Sequence, residues 1–216
     1  ASTAALHFGS GLVSVMTHTK TSIPPYIMST TSLPNNTSAL VVGMGLGTHD
    51  EIESLLLSFK GPMVIDADLF YKPLIKRLMK QKDNLVLTPH PKEFASLLKI
   101  CDIADVDVHE IQSNRFHYVR AFMARFPNVT LLLKGANSII AHDGILYVNT
   151  QGSNILSKGG SGDVLSGMIG ALLAQNYSPT NAAISASLAH ALAGNNIKSN
   201  NYALNPLDLC EGIKCL

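Results

Sequence analysis

The stretch Ser157-Lys158-Gly159-Gly160-Ser161-Gly162-Asp163 places three glycines and one carboxylate directly before an apolar pattern. The apolar residues between 164 and 173 recur at helical spacing, so the glycine run is predicted to be the loop that opens a buried helix. Backbone N–H groups in the first turn of a helix lack partners, and the helix dipole favours anions there. The stretch therefore predicts a phosphate-binding helix start.

Asp163 is the unusual member of this stretch, because a carboxylate repels a phosphate. A metal ion, a neighbouring cation or a proton-transfer role would justify its position. A simpler interpretation remains open, in which the glycines form a turn and Asp163 only stabilises the helix start. A motif this short does not decide between the two interpretations.

Composition favours one compact domain, spanning residues 1–216, that acts on a small molecule. The chain has 216 residues, of which 46% are hydrophobic and 14% are charged, which is enough to bury a sizeable core. Sixteen Lys and Arg against 15 Asp and Glu give a net charge of +1, which favours neither nucleic acid nor a membrane as a partner. Three cysteines without a C-x-x-C pair fit free thiols, so we expect a cytoplasmic protein.

Short apolar runs alternate with helical patterns, which is typical of an α/β fold with a mostly parallel central sheet and helices on both faces. Strands are predicted over residues 12–16, 39–42, 63–65, 85–87, 129–133, 138–141 and 145–149, with an Asp-Gly turn that predicts a β-hairpin between the last two. Helices are predicted over residues 1–8, 50–59, 71–80, 91–98 and 108–126, and an apolar, buried helix over 182–193 follows Ser178 and Pro179. The segment 29–38 is the most loop-like.

Polar clusters follow several of these strands. Gly43, Gly45 and Gly47 alternate after one strand, where they would let a backbone pass close to a ligand, although a tight turn explains them nearly as well. Asp66 and Asp68 end the next strand, and both carboxylates would point to one side if the strand geometry continues. They are candidates for metal or hydroxyl binding, with helix capping as the alternative.

A histidine between two prolines, His90, follows the strand over 85–87. Pro91 suits the first position of a helix, and Glu93 then favours the positive helix start. The restrained backbone makes His90 a better candidate ligand than the other seven histidines, most of which we expect to face solvent.

The fourth cluster is Lys134-Gly135-Ala136-Asn137-Ser138, which follows the strand over 129–133. It brings an ammonium group and two hydrogen-bonding side chains, although a surface Lys-Gly turn is an equal alternative. Ligands of parallel α/β sheets bind outside the carboxyl ends of the strands, so these clusters together predict one site at that edge.

These motifs, taken in order, resemble the ribokinase-like ADP/ATP-dependent NAD(P)H-hydrate dehydratases. The matching stretches are GSGLVSV at 9–15, GMGLG at 43–47, DADLF at 66–70, TPHPKEF at 88–94, LKGANSII at 133–140 and SKGGSGDVLSGMIGALLAQ at 157–175. The resemblance covers nearly the whole chain. It implies a ribokinase-like fold whose first strand would precede Ala1, and so be missing from this chain.

The resemblance also implies a function, a lyase that repairs nicotinamide nucleotides. Hydrated NADH or NADPH, with a hydroxyl at C6 of the nicotinamide ring, would be dehydrated at the expense of ADP or ATP with Mg²⁺, and no metal-ligating residue is assigned. Asp163 would be the base toward the substrate hydroxyl. The implied substrate-binding residues are Gly43, Gly45, Gly47, Asp66, His90 and Asp163, and the implied nucleotide-binding residues are Lys134, Gly135, Ala136, Asn137, Ser138, Gly159, Gly160, Ser161 and Gly162. Family members form tetramers, and an epimerase domain can be fused upstream.

Two other functions remain open from the sequence. A small-molecule kinase of the same superfamily would use the same acid and glycine loop to phosphorylate a stable alcohol, such as a vitamin precursor or a sugar. A nucleotide-binding module without catalysis would keep its affinity after the loss of Asp163. The combination of TPHPKEF and KGANS favours the dehydratase.

Overall fold

The computed structural model describes residues 1–17, 22–47, 52–197 and 203–216. Strands β1 (Ser14–Met16) and β2 (Met28–Thr30) pair in parallel in a small separate sheet. The main sheet has the order β3 (Leu40–Val42), β4 (Met63–Ile65), β5 (Leu85–Leu87), β6 (Thr130–Leu133), β7 (Ser138–His142) and β8 (Ile145–Asn149). Its first four strands are parallel and its last two are antiparallel. The prediction of a mostly parallel sheet with a hairpin is confirmed.

Helices cover both faces of this sheet. In the described ranges they are α1 (Ser2–His7), α2 (Ile52–Ser58), α3 (Leu74–Gln81), α4 (Pro91–Ile100), α5 (Val108–Ser113), α6 (Arg115–Arg125), α7 (Ser161–Ala174), α8 (Pro179–Asn196) and α9 (Pro206–Ile213). None of the helices in these described ranges combines the length and the apolar character that a membrane span requires.

Alternation along the strands divides the core into two layers. Ile65 and Leu87 face the layer of α2 to α6, whereas their neighbours Val64 and Val86 face the layer of α1, α7, α8 and α9. Successive side chains of a strand point to opposite faces, so a strand buried on both sides must be apolar throughout. The short, wholly apolar runs in the sequence indicate strands that are buried on both faces of the sheet.

The hairpin follows from its two-residue turn. His142 pairs with Ile145, and both Asp143 (φ +46°) and Gly144 (φ +76°) between them have positive φ. A type I′ turn requires this conformation and favours Asp-Gly, because its twist matches that of the strands. The predicted hairpin is confirmed.

The prediction of one long helix over 108–126 is wrong, because the helix is interrupted at Asn114. Asn114 has φ −128° and ψ +37°, outside the helical region, and its side-chain amide donates to Oε1 of Glu110. An asparagine side chain competes with the backbone for hydrogen bonds and so favours a helix boundary. The break makes Arg115 the first residue of a new helix, α6.

The strand predicted over 12–16 exists in part, but it does not join the main sheet. Leu12 is 66% exposed, and β1 pairs instead with β2, which covers the start of the segment predicted as most loop-like. The apolar helix predicted over 182–193 lies within α8, but Leu188 is 43% exposed, so its burial is confirmed on one face only. Asp50, the predicted start of α2, lies outside the described residues.

Candidate active site

A cavity of about 580 Å³ opens at the carboxyl edge of the parallel strands, beside the start of α7. Ten of the predicted site residues line it: Asp66, His90, Lys134, Gly135, Ala136, Ser138, Gly159, Gly160, Gly162 and Asp163. Asn137, Ser161 and the three glycines Gly43, Gly45 and Gly47 do not line it. The clusters after β4, β5 and β6 therefore meet the glycine loop in one place.

The start of α7 presents free backbone donors to this cavity. The amides of Ser161 and Val164 donate to the carbonyls of Lys158 and Gly160, whereas those of Gly162 and Asp163 have no acceptor among the described residues. Gly160 is the N-cap in a left-handed conformation, with φ +86°, and a Cβ there would lie 2.6 Å from Cγ of Pro206. This helix start has the geometry that binds phosphate elsewhere, since free amides and the helix dipole favour an anion.

Lys134 crosses the cavity to a buried carboxylate. Its Nζ lies 2.9 Å from Oδ1 of Asp66, which is 2% exposed, and 3.8 Å from Oε2 of Glu93. The other oxygen of Asp66 accepts a 2.7 Å hydrogen bond from Ser166. A buried carboxylate needs such partners, because desolvation penalises an unpaired charge.

The side chains of Asp66 and Asp68, the two acids of the DADLF stretch, point in different directions. The prediction that both point to one side is wrong, because the strand ends at Ile65 and Ala67 turns with φ +50° into a short 3₁₀ helix. Asp66 caps this helix by accepting from the amide of Ala67, so the capping alternative describes it, together with its ion pair. Asp68 instead accepts from the amide of Gly47, 2.9 Å away.

Close packing against Asp66 explains why a glycine occupies position 43. A Cβ at Gly43, where φ is +121°, would lie 1.7 Å from the carbonyl oxygen of Asp66. A side chain here would displace the backbone that carries Asp66. The loop over 43–47 therefore packs behind Asp66 and supports the part of the cavity wall that this residue forms.

His90 is the N-cap of α4 as well as a wall of the cavity. Its Nδ1 accepts from the amides of Lys92 and Glu93, and its Nε2 lies 3.1 Å from Oε1 of Glu93. The carboxylate of Glu93 also accepts from the amide of His90, which completes a capping box. Burial, together with the charge of Lys134, holds the pKa of His90 below its ordinary value, so the neutral ring carries its proton on Nε2.

Asp163 is half-buried in the first turn of α7 and faces the same cavity. Burial raises the pKa of Asp163 above its ordinary value, and the charge of Asp66 acts in the same direction, while Lys134 opposes it. A carboxylate with a raised pKa is a stronger base. Burial likewise raises the pKa of Glu93.

Several residues of this region were missed from the sequence. His190, expected with most histidines at the surface, is 6% exposed, lines the cavity and places Nε2 3.1 Å from the hydroxyl of Ser161. Arg115 and Gly152 hold the loop over 134–138 from two sides. His190 carried a signal, since it falls within an apolar helical pattern, whereas the contacts of Arg115 depend on a helix break and long-range packing.

The fold and this cavity define an α/β protein in which a helix start with free backbone amides lies beside an acid and a lysine. Solved structures share the fold: an ADP/ATP-dependent NAD(P)H-hydrate dehydratase from Bacillus subtilis, co-crystallised with ATP and Mg²⁺ and soaked with CoA, matches with a TM-score of 0.79 and 23% identity over 98% of this chain and 82% of its own. A ribokinase-like superfamily protein from Enterococcus faecalis gives a TM-score of 0.80 and 24% identity over 99% and 79%. The predicted ribokinase-like fold is confirmed.

The family is shown by sequence. The NAD(P)H-hydrate dehydratase family model matches residues 1–214, and the chain belongs to this family. The bifunctional NAD(P)H-hydrate repair enzyme Nnr of Helicobacter pylori is 47% identical over 98% of this chain and 45% of its own length. The Escherichia coli enzyme of the same name is 36% identical over 88% and 38%. An ADP-dependent (S)-NAD(P)H-hydrate dehydratase of Neisseria meningitidis is 37% identical over 76% and 56%. The chain thus spans less than half the length of the first two relatives.

Proposed function

We propose that this chain dehydrates hydrated NADH or NADPH to the reduced cofactor at the expense of ADP or ATP. The observation that carries the proposal is the meeting of Asp163, Lys134, His90 and the free amides of α7 around one cavity, in a chain of the NAD(P)H-hydrate dehydratase family. The cavity is of the size that small ligands and cofactors occupy.

The first step transfers the terminal phosphoryl group of the nucleotide to the hydroxyl of the hydrate. Asp163 takes the hydroxyl proton as the oxygen attacks phosphorus, and the anhydride bond breaks to release the shortened nucleotide. The amides of Gly162 and Asp163 stabilise the charge on the transferring group. Phosphate then leaves from C6 of the ring while a proton leaves C5 to water, and the C5=C6 double bond of the reduced nicotinamide forms. Phosphorylation makes this elimination possible because phosphate is a far better leaving group than hydroxide.

The other residues of the cavity bind and orient the two substrates. His90 contacts the hydrate with Asp66 beside it, and the loop over 43–47, whose glycines lie outside the cavity, supports the backbone of Asp66. The loop over 134–138 and the helix start over 159–162 hold the nucleotide. Lys134 is already paired with Asp66, so it orders this acid and adds positive potential rather than offering an unpaired charge.

Magnesium fits this site as a companion of the nucleotide. In the described ranges no group of three or more His, Cys, Asp and Glu side chains is placed to hold a metal ion. Mg²⁺ usually keeps several waters and binds substrate phosphates with one or two carboxylates. Asp66, whose two oxygens already accept from Lys134 and Ser166, would take part only through water, and the ion would neutralise charge on the phosphates.

The decisive experiment incubates the chain with hydrated NADH, ADP or ATP and Mg²⁺, and follows the absorbance of the reduced nicotinamide. Recovery that requires nucleotide and is lost in Asp163→Asn supports the proposal. A small-molecule kinase would instead consume ATP with a stable alcohol and leave the hydrate unchanged. Adenine-nucleotide binding without any turnover would point to a binding module.

Four further features belong to the same proposal. Residues 1–216 form one ribokinase-like domain, and the chain assembles into a homotetramer. It works beside an epimerase domain, which is supported by the longer relatives described as bifunctional. It acts in the cytoplasm, where its free cysteines remain reduced.

A further inference from the structure

Arg115 binds the backbone of the loop that follows β6. Its Nη1 donates to the carbonyl of Asn137 at 2.8 Å, and its Nη2 donates to the carbonyls of Leu133 and Lys134 at 3.2 and 3.4 Å. One guanidinium group therefore joins the two ends of this loop. A planar group with five fixed donors suits this task, whereas an ammonium presents its donors from a single point.

The loop is confined closely on two sides. A Cβ at Gly135 would lie 2.8 Å from Nη2 of Arg115, so the guanidinium packs directly against the glycine backbone. From the segment that follows β8, a Cβ at Gly152 would lie 1.9 Å from the carbonyl oxygen of Ala136. Neither position has room for a side chain. We call this arrangement the Arg115–Gly152 clamp.

The position of Arg115 is unfavourable for α6 itself. It is the first residue of that helix, where the dipole disfavours a cation, and the first turn holds no acidic residue. Its Nε is buried without a partner, and no carboxylate of the described residues forms an ion pair with it. A cation at a helix start and a buried donor without a partner both reduce stability. Such unfavourable features are expected at functional sites, where a gain in function compensates for the loss of stability.

We propose that Arg115 is a positioning residue for the nucleotide. It fixes the backbone of residues 134–138 in the form that receives the nucleotide and keeps Lys134 directed across the cavity to Asp66. This inference rests on the proposed function, in which this loop binds the nucleotide and not the hydrate. Loss of the guanidinium therefore weakens nucleotide binding selectively, because a loosened loop must be ordered again on binding.

The test titrates ADP and ATP into Arg115→Met and Arg115→Lys by calorimetry, with hydrated NADH titrated separately. Arg120 is exposed on the same helix and carries no hydrogen bond or ion pair to the described residues, so Arg120→Met is the matched control. We expect Arg115→Met to raise the nucleotide Kd about 10-fold or more, in line with the loss of hydrogen bonds from a charged group. Arg115→Lys should recover only part of the lost nucleotide affinity. In both variants the Kd of the hydrate should change less than about 2-fold.

Gly152→Ala supplies a second variant that needs no change of charge. It should push Ala136 away and raise the nucleotide Kd, and its effect should be less than additive with that of Arg115→Lys, since both act on one loop. Thermal unfolding of each variant shows that it remains folded. If Arg115→Met does not fold, Arg115→Lys and Gly152→Ala give the same comparison.

An unchanged nucleotide Kd in the folded variants overturns the inference, and so does an equal weakening of nucleotide and hydrate. Both results leave the proposed function intact, because the wild-type chain still binds nucleotide. Absence of nucleotide binding by the wild-type chain is a different result, which contradicts the proposed function and the inference with it.

Discussion

The ammonium nitrogen of Lys134 lies 2.9 Å from Oδ1 of Asp66, a carboxylate that is 2% exposed. This pair joins the ends of β4 and β6 at the centre of the candidate active site. Removing one partner of a buried pair leaves an uncompensated charge, which costs far more than a surface pair contributes. The pair therefore links the stability of the domain to the geometry of its site.

Lys134→Met should lower the free energy of unfolding by about 3 kcal/mol in urea titrations, because Asp66 would lose its cation. The double variant Lys134→Met with Asp66→Asn should recover part of this loss, since the buried charge is then absent. Lys99→Met is the control, because Lys99 pairs with Asp105 on the surface and should cost less than about 1 kcal/mol. Equal losses in Lys134→Met and Lys99→Met would contradict the structural role of the pair.

Asp163→Asn should reduce kcat about 100-fold or more, while the nucleotide Kd stays within about 3-fold of the wild-type value. The amide keeps the size of the side chain at the helix start but cannot accept the hydroxyl proton. Steady-state turnover and calorimetric titration with ADP measure the two quantities. Comparable turnover in variant and wild type would refute the base role.

The pH profile of kcat/KM should show an acid limb above the ordinary range of an aspartate, about pH 4. Burial raises the pKa of Asp163, so the base becomes protonated and inactive at a higher pH than an exposed aspartate would. Rates measured across the acid range, with unfolding monitored at each pH, locate this limb. An acid limb at or below pH 4 would show that another group controls the reaction.

Gly162→Val should raise the nucleotide Kd about 10-fold or more. A Cβ at Gly162 would lie 3.2 Å from Nζ of Lys134 and 3.9 Å from Oδ2 of Asp66, so a branched side chain would enter the cavity beside the free amides. Gly11→Val is the comparison, since a Cβ at Gly11 meets no atom within 4 Å and the residue lies outside the cavity. Similar nucleotide affinity in wild type and Gly162→Val would contradict phosphate binding at this helix start.

Much of the site could be predicted because of one rule of parallel sheets. Asp66, His90 and Lys134 each follow a buried strand, and the carboxyl ends of parallel strands share one edge, so the sequence order alone brings them together. The helix start at Gly160 lies at the same edge of the sheet and lines the same cavity as these three residues. The family resemblance added the expected roles of these residues in binding and catalysis.

The features that escaped prediction depend on contacts between distant segments. The pairing of β1 with β2 and the hydrogen bond between Asp68 and Gly47 leave no periodic pattern in the sequence. Arg115 reaches the loop after β6 only because α5 ends at Ser113. His190 was predictable in principle, because it lies on the helix face that also carries the buried Ala183.

His190 leads to a prediction about stability. Burial lowers the pKa of His190 to about 4, whereas an unfolded histidine titrates near 6.5. Between these values the unfolded chain binds a proton at this histidine that the folded chain does not, so the contribution of His190 to stability falls as the pH falls from about 6.5 to about 4. The difference in pKa corresponds to about 3 kcal/mol of unfolding free energy from this one group.

His190→Gln removes this titration and keeps a polar side chain near the hydroxyl of Ser161, which lies 3.1 Å from Nε2 in the wild type. Urea titrations at several pH values should show a shallower loss of stability below pH 6.5 in the variant, by about one proton in the slope. The raised pKa values of Glu93 and Asp163 contribute equally to both proteins and cancel in the difference. His109→Gln makes the same replacement at an exposed histidine and controls for the substitution itself. Parallel stability curves for wild type and His190→Gln would mean that His190 is accessible to protons in the folded chain, and that the buried imidazole does not limit stability in acid.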